Sequence, residues 1–172
     1  IGICNGCQIL ANLGLVPGFG GNYGERNVAV TYNLPAQYQC RWVDLIADQG
    51  CGSPWLRGID RLHIPVAHGE GRFMMEDQTL KALKDNNQIA LRYAGPEGLA
   101  ANGVFPNNPN RSMDDIAAIT DETGRIFAIM PHPERGMFSW QRDDYDRLKD
   151  EADRKGESLP ERVDGMALFA NA

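Results

Sequence analysis

The sequence predicts an α/β domain with an appended antiparallel hairpin. Three observations predict it. Short apolar, partly alternating runs recur along the chain with short helical stretches between them. The run Gly2-Ile3-Cys4-Asn5-Gly6 joins the tail of a buried strand to a helix. Ile116 to Thr120 and Arg125 to Met130 flank the turn at Thr120 to Gly124, which reads as a hairpin.

The elements follow in order. Ile1 to Ile3 read as the last residues of a strand, and Gln8 to Leu13 as a helix stopped by Gly14. Pro17 to Gly24 is glycine-rich and reads as a mobile loop. It nearly spells a dinucleotide fingerprint, but Tyr23 stands where the third glycine belongs, and the run follows a helix where a fingerprint follows a strand. Gln39 to Ala47 alternates as a strand, and Ser53-Pro54 can open a helical turn. Arg61 to Ala67 is a strand entering the loop His68-Gly69-Glu70-Gly71. Asp77 caps a helix carrying Leu80 and Leu83, and Gln88 to Tyr93 is a further strand. Asn107 to Ser112 is a turn-rich loop. The stretch 141–162 is dense in charge and reads as a solvated helix or surface insertion, before a short helix over Val163 to Ala170.

The chain has 172 residues, the length of one domain. Its apolar and charged fractions, 42% and 23%, are those of a globular protein rather than a disordered one. Seventeen Lys and Arg against 23 Asp and Glu leave a net charge of −6. Without a basic cluster there is no footprint for a phosphate backbone, so nucleic acid is not an expected partner. No apolar run reaches the ~18–20 residues of a membrane helix. Cys4, Cys7, Cys40 and Cys51 crowd the first third of a chain long enough to build a core unaided, which points to reduced thiols and a cytoplasmic setting. The chain opens on Ile1 with only a strand's tail, which suggests the C-terminal piece of something longer.

Two constellations carry chemistry. The first is the elbow around Cys4. Glycines two before and two after a nucleophile allow a cramped strand-to-helix turn. The helix N-terminus beneath the sulfur favours thiolate, and the Asn5 N–H would face an oxyanion. Taken alone, the segment also fits a buried structural cysteine. The second is Met130-Pro131-His132-Pro133-Glu134-Arg135, just past a strand end. The flanking prolines are expected to forbid helix, leaving His132 and Glu134 two apart on one side of an extended chain. A carboxylate orienting an imidazole is the supporting pair of a catalytic triad. Together the two make the layout of acyl transfer: nucleophile Cys4, base His132, orienter Glu134.

Other readings compete. Cys4 and Cys7 form a C-x-x-C, but a redox pair has no use for His132 and Glu134, and Cys7 reads better as a buried helix residue. The zinc deaminases have a similar vocabulary in reversed order, and no metal site is expected. His63 alternates with Leu62 and Ile64 and reads as structural, whereas His68 stands in a glycine-rich corner that suits binding.

At this point the residues resemble a known family. GICNGCQIL resembles the elbow of class I, triad-type glutamine amidotransferases, which implies that Gln8 helps to form the substrate pocket. PVAHGEGRF, the run from Phe105 through NPN to MPHPERG, and the closing DGMALFANA narrow the likeness to the glutaminase subunit or domain of phosphoribosylformylglycinamidine synthase. It spans nearly the whole chain, and the charged stretch after Gly136 matches least. The resemblance implies a flavodoxin-like three-layer sandwich with a mostly parallel sheet and an appended hairpin, its N-terminal strands missing here. It implies that L-glutamine is hydrolysed through a Cys4 thioester, with His68 and Gly69 also at the substrate. Ammonia would pass through a channel to a synthase subunit or domain of the same complex, to which a further small subunit can belong. That partner uses ATP and magnesium, and no cofactor is expected in this chain.

The family's second oxyanion-hole donor lies in the missing segment, so this polypeptide is expected to be inactive or unstable alone. Where the family usually reads Asn-Pro-Asn-Gly-Ser, Arg111 replaces the glycine, which leaves that loop's backbone open. Another class I amidotransferase, a γ-glutamyl hydrolase and a non-catalytic assembly subunit remain the alternatives.

Overall fold

The computed structural model describes residues 1–172, the side chain of Glu97 excepted. Its main sheet has six strands in the order β1 (Gly2–Ile3), β8 (Phe127–Ile129), β7 (Ile116–Thr120), β6 (Ile89–Ala94), β3 (Gln39–Ala47) and β4 (Arg61–His68). A separate two-stranded sheet pairs β2 (Ala29–Tyr32) with β5 (Glu70–Met74). Four helices complete the fold: α1 (Asn5–Asn12), α2 (Asp77–Asp85), α3 (Tyr145–Lys155) and α4 (Asp164–Ala170). None is long and apolar enough to cross a membrane.

Apolar side chains fill both faces of the main sheet, which makes the layering. On β8, Phe127 and Ile129 join one cluster with Ile64, Val66, Tyr93 and Leu168 of α4. Ala128 and Met130 join the other with Cys7 and Ala11 of α1, Leu83 of α2, and Phe73 of β5. A strand buried on both faces reads as an unbroken apolar run, as β8 does.

The α/β class stands, and strand direction is where the expectation needs correcting. Only β1 and β8 run parallel; every other neighbouring pair in the main sheet is antiparallel. Parallel neighbours need a crossover of a dozen or more residues, usually through a helix. The turn between β7 and β8 is too short for a crossover, and the links between β3 and β4 and between β6 and β7 carry only short 3₁₀ turns in place of a crossover α-helix.

The corner after β4 also differs. Only Gly69 separates β4 from β5, so Glu70 and Gly71 lie in a strand, not a loop. The glycine-rich run near residue 20 is tied down by acids: Gly20 N–H donates to Glu122 Oε1 at 2.5 Å and Tyr23 OH to Asp121 Oδ2 at 2.9 Å. Carboxylates at its backbone oppose phosphate binding. The 141–162 stretch forms α3, mostly exposed and laced with i,i+4 pairs such as Arg147–Glu151.

Candidate active site

Cys4 sits between β1 and α1 with φ 50° and ψ −104°, a conformation that L-residues rarely hold. Backbone bonds keep it there. Its N–H donates to Ile129 O at 2.8 Å, and its carbonyl accepts from Gln8 N at 3.1 Å, opening the helix. Gly2 is required, since a Cβ there would lie 2.5 Å from Leu10 Cδ1 and 2.6 Å from Gly6 O. The expectation that both flanking glycines relieve crowding does not extend to Gly6, where a Cβ would meet nothing within 4 Å.

A second correction concerns the sulfur's charge. Burial raises the Cys4 thiol pKa, against the pull of the Asn5 N–H and Arg135 and with a further push from Glu134. The thiol is therefore the resting form, so this sulfur can act as a nucleophile only with a base to take its proton. Cys7 is fully buried one turn on, where burial holds its thiol protonated, in line with a structural role.

His132 reaches the same end of the sheet. β1 and β8 are parallel neighbours with Ile3 opposite Ile129, so the chain leaves both strands on one side. Cys4 follows one and His132 the other. The His132 N–H donates to Pro65 O at 2.7 Å, pinning it to β4. Contrary to the expectation from sequence, Pro133 does not forbid helix. It starts a single helical turn, Pro133–Arg135, at the position where a missing N–H costs nothing. That turn brings Glu134 Oε1 to 2.6 Å from His132 Nδ1. A carboxylate oxygen only accepts, so Nδ1 carries the hydrogen and Nε2 keeps its lone pair, buried and without a hydrogen-bond partner.

The remaining site candidates gather around the β4–β5 corner. Gln8 Nε2 donates to Glu70 O at 2.8 Å, so its side chain ties α1 to this corner. Gly69 O accepts from Asn33 N at 2.9 Å. His68 is buried, with its Nδ1 3.1 Å from Asn33 Oδ1, and burial with the nearby His132 lowers its pKa to about 4. Its ring fills the space where a Cβ on Gly71 would be. His63 proves structural: its ring bridges Asp44 and Asp143 at 3.0 and 3.1 Å and stacks on Trp42. Asp144 lies close enough to join His63 and Asp143 around an ion, but Arg142 and Arg147 already occupy it.

Sequence reading missed three residues that hold this site. Asn33 braces the β4–β5 corner, and Asn110 Nδ2 donates to Gly71 O at 2.7 Å. Gly165 of α4 lies against the His132 turn, its N–H on Gly136 O at 2.9 Å. Asn33 belongs to no recognisable motif. Asn110 lies within NPN and was legible as part of a pattern, but not as a brace.

The arrangement offers a half-buried thiol, an imidazole with one free nitrogen and a carboxylate fixing its tautomer. Comparison with known proteins matches this chain, over residues 1–172, to the family described as CobB/CobQ-like glutamine amidotransferase domain. A phosphoribosylformylglycinamidine synthase subunit PurQ of Methanococcus maripaludis is 44% identical across the whole chain, which spans 63% of that relative's length. The subunit of the same name in Dehalococcoides mccartyi is 36% identical, with this chain spanning 61% of it. The solved structure of PurLQS from Thermotoga maritima superposes on 98% of this chain and 57% of its own, with a TM-score of 0.60 and 26% identity. With an elbow cysteine, a carboxylate-held histidine and a full-length family match, this chain belongs to the CobB/CobQ-like glutamine amidotransferase domain family.

Proposed function

We propose that this chain hydrolyses L-glutamine to glutamate and ammonia through a Cys4 thioester. The ammonia feeds the synthase step that converts formylglycinamide ribonucleotide to its amidine in purine biosynthesis. The observation that carries the chemistry is the pairing of the strained Cys4 backbone with an adjacent parallel strand whose continuation presents His132. The names of the relatives support the choice of pathway.

His132 Nε2 takes the Cys4 proton as the sulfur bonds to the carboxamide carbon, and the carbonyl π electrons move to oxygen. The Asn5 N–H is the candidate donor to that oxyanion. His132 then returns the proton to the departing NH₂, releasing ammonia and leaving the γ-glutamyl thioester. Water attacks the thioester, its proton passing to His132. The sulfur leaves with that proton, and glutamate is released. Glu134 holds the His132 tautomer throughout. Gln8 and Gly69 serve the substrate by shaping the corner beside the elbow.

ATP and magnesium belong, in this reading, to the synthase partner, and the setting is the cytoplasm. The acids at the glycine-rich loop support placing the nucleotide elsewhere.

A glutamine-analogue diazoketone tests the proposal. The expected result is a single adduct mapping to Cys4 by mass spectrometry, together with ammonia release from L-glutamine in the presence of the synthase partner. Glu134→Gln should cut that release by about 10²–10⁴-fold with Cys4 still labelled slowly. Absence of both adduct and ammonia would refute catalysis and favour an assembly role.

A further inference from the structure

The β4–β5 corner contains a second imidazole whose state can be read from its neighbours. Asn33 is 1% exposed. Its Nδ2 lies 2.8 Å from both Gln37 O and His68 O, which only accept, so that atom is the amide nitrogen. Its Oδ1 accepts the Gly71 N–H at 3.0 Å and lies 3.1 Å from His68 Nδ1. With only an acceptor facing it, His68 Nδ1 must carry the hydrogen. Nε2 is then a bare lone pair, and it is buried without a partner. Buried polar atoms are nearly always satisfied, and leaving one bare forfeits its hydration. The same pattern, Nδ1 held and Nε2 bare, occurs in His132, which lies near enough to influence the His68 charge. Gln8 ties the corner to the helix that starts at Cys4.

We infer that Asn33 is a positioning residue that locks His68 as the Nδ1–H tautomer, so that its Nε2 accepts a hydrogen bond from an N–H of the bound amino-acid amide. This rests on the glutaminase reading and adds a second imidazole, neutral at physiological pH, to it. The donor is either the carboxamide nitrogen, which would make loss of the bond appear in kcat, or the α-ammonium, which would make it appear in KM.

The test is nitrogen-15 NMR of histidine-labelled protein, using Cys4→Ala to hold L-glutamine without turnover. The expected result is an unprotonated Nε2 on His68 that shifts when L-glutamine is added. Asn33→Asp, which offers a carboxylate to Nδ1, should protonate Nε2. His68→Ala should lower kcat/KM by about ten-fold, the loss of one hydrogen bond, and His68→Gln, which restores an acceptor, should recover part of it. These His68 variants leave Asn33 and its three side-chain bonds to backbone atoms in place should Asn33→Asp fail to fold. An Nε2–H tautomer would overturn the assignment. So would an Nε2 signal in Cys4→Ala that ignores L-glutamine although the diazoketone labels Cys4 of the parent protein, because a fixed water would then satisfy the ring. A protein showing neither Cys4 labelling nor ammonia release overturns the glutaminase reading and the ligand together, while the tautomer still judges Asn33 separately.

Discussion

Cys4 holds a backbone conformation that costs on the order of 1–3 kcal/mol, and the bonds to Ile129 and Gln8 keep it there. The strain puts the sulfur at the tip of the turn. Glycine adopts such angles freely, whereas alanine keeps the strain and loses only the sulfur. Cys4→Gly should therefore be about 1–2 kcal/mol more stable than Cys4→Ala in urea unfolding, with both variants inactive. Equal stabilities would mean that the turn stores no strain. The elbow was legible in five consecutive residues because its steric demand is local. The resting thiol was not, since burial comes from the whole fold and here outweighs the Asn5 N–H.

Among the elements, the loop after β6 and the start of α4 support the site from behind. Arg111 adopts φ 61°, the left-handed region that the resemblance to a glycine position pointed towards. Its Nη1 donates to Gly103 O at 2.6 Å, so part of the cost is offset. Arg111→Gly should stabilise the fold by about 0.5–1 kcal/mol, read as a rise in Tm, because relief of left-handed strain exceeds the lost bond and the added chain entropy. At α4, a Cβ on Gly165 would collide with Pro133 O and lie 2.6 Å from Gly136 O. Gly165→Ala must push the helix off the turn that holds His132 and Glu134. It should cost about 1–3 kcal/mol and reduce ammonia release, although it touches no reacting atom. Unchanged turnover would show that the turn does not depend on α4. The strands β2 and β5 were not legible. Glu70-Gly71 carries turn residues, and only pairing with Ala29–Tyr32 makes that corner a strand.

For the molecule as a whole, acid stability is a sharp consequence of His68. Its folded pKa is lowered to about 4 from an ordinary 6.5, because burial disfavours the imidazolium. As pH falls below 6.5, the unfolded chain takes up a proton that the folded chain refuses, so stability is lost between about 6.5 and 4. The loss approaches 3 kcal/mol. Asp144, held below the usual carboxylate range by Arg142, loses its contribution only below that window. His68→Gln should flatten the fall in unfolding free energy between pH 6.5 and 4. A slope unchanged by the substitution would place the ring in water.

Local patterns along the chain specify the Cys4 turn, the His-Pro-Glu pair and the existence of β3, β4, β6, β7 and β8, because steric rules and apolar patterns act over a few residues. Strand direction, the thiol's charge, and the roles of Asn33 and Gly165 emerge only once the chain is packed. Those depend on which segments become neighbours: β8 lies between β1 and β7, and His68 lies beside Asn33, 35 residues away in the chain. Burial and long-range pairing are properties of the packed molecule, and no local pattern encodes them.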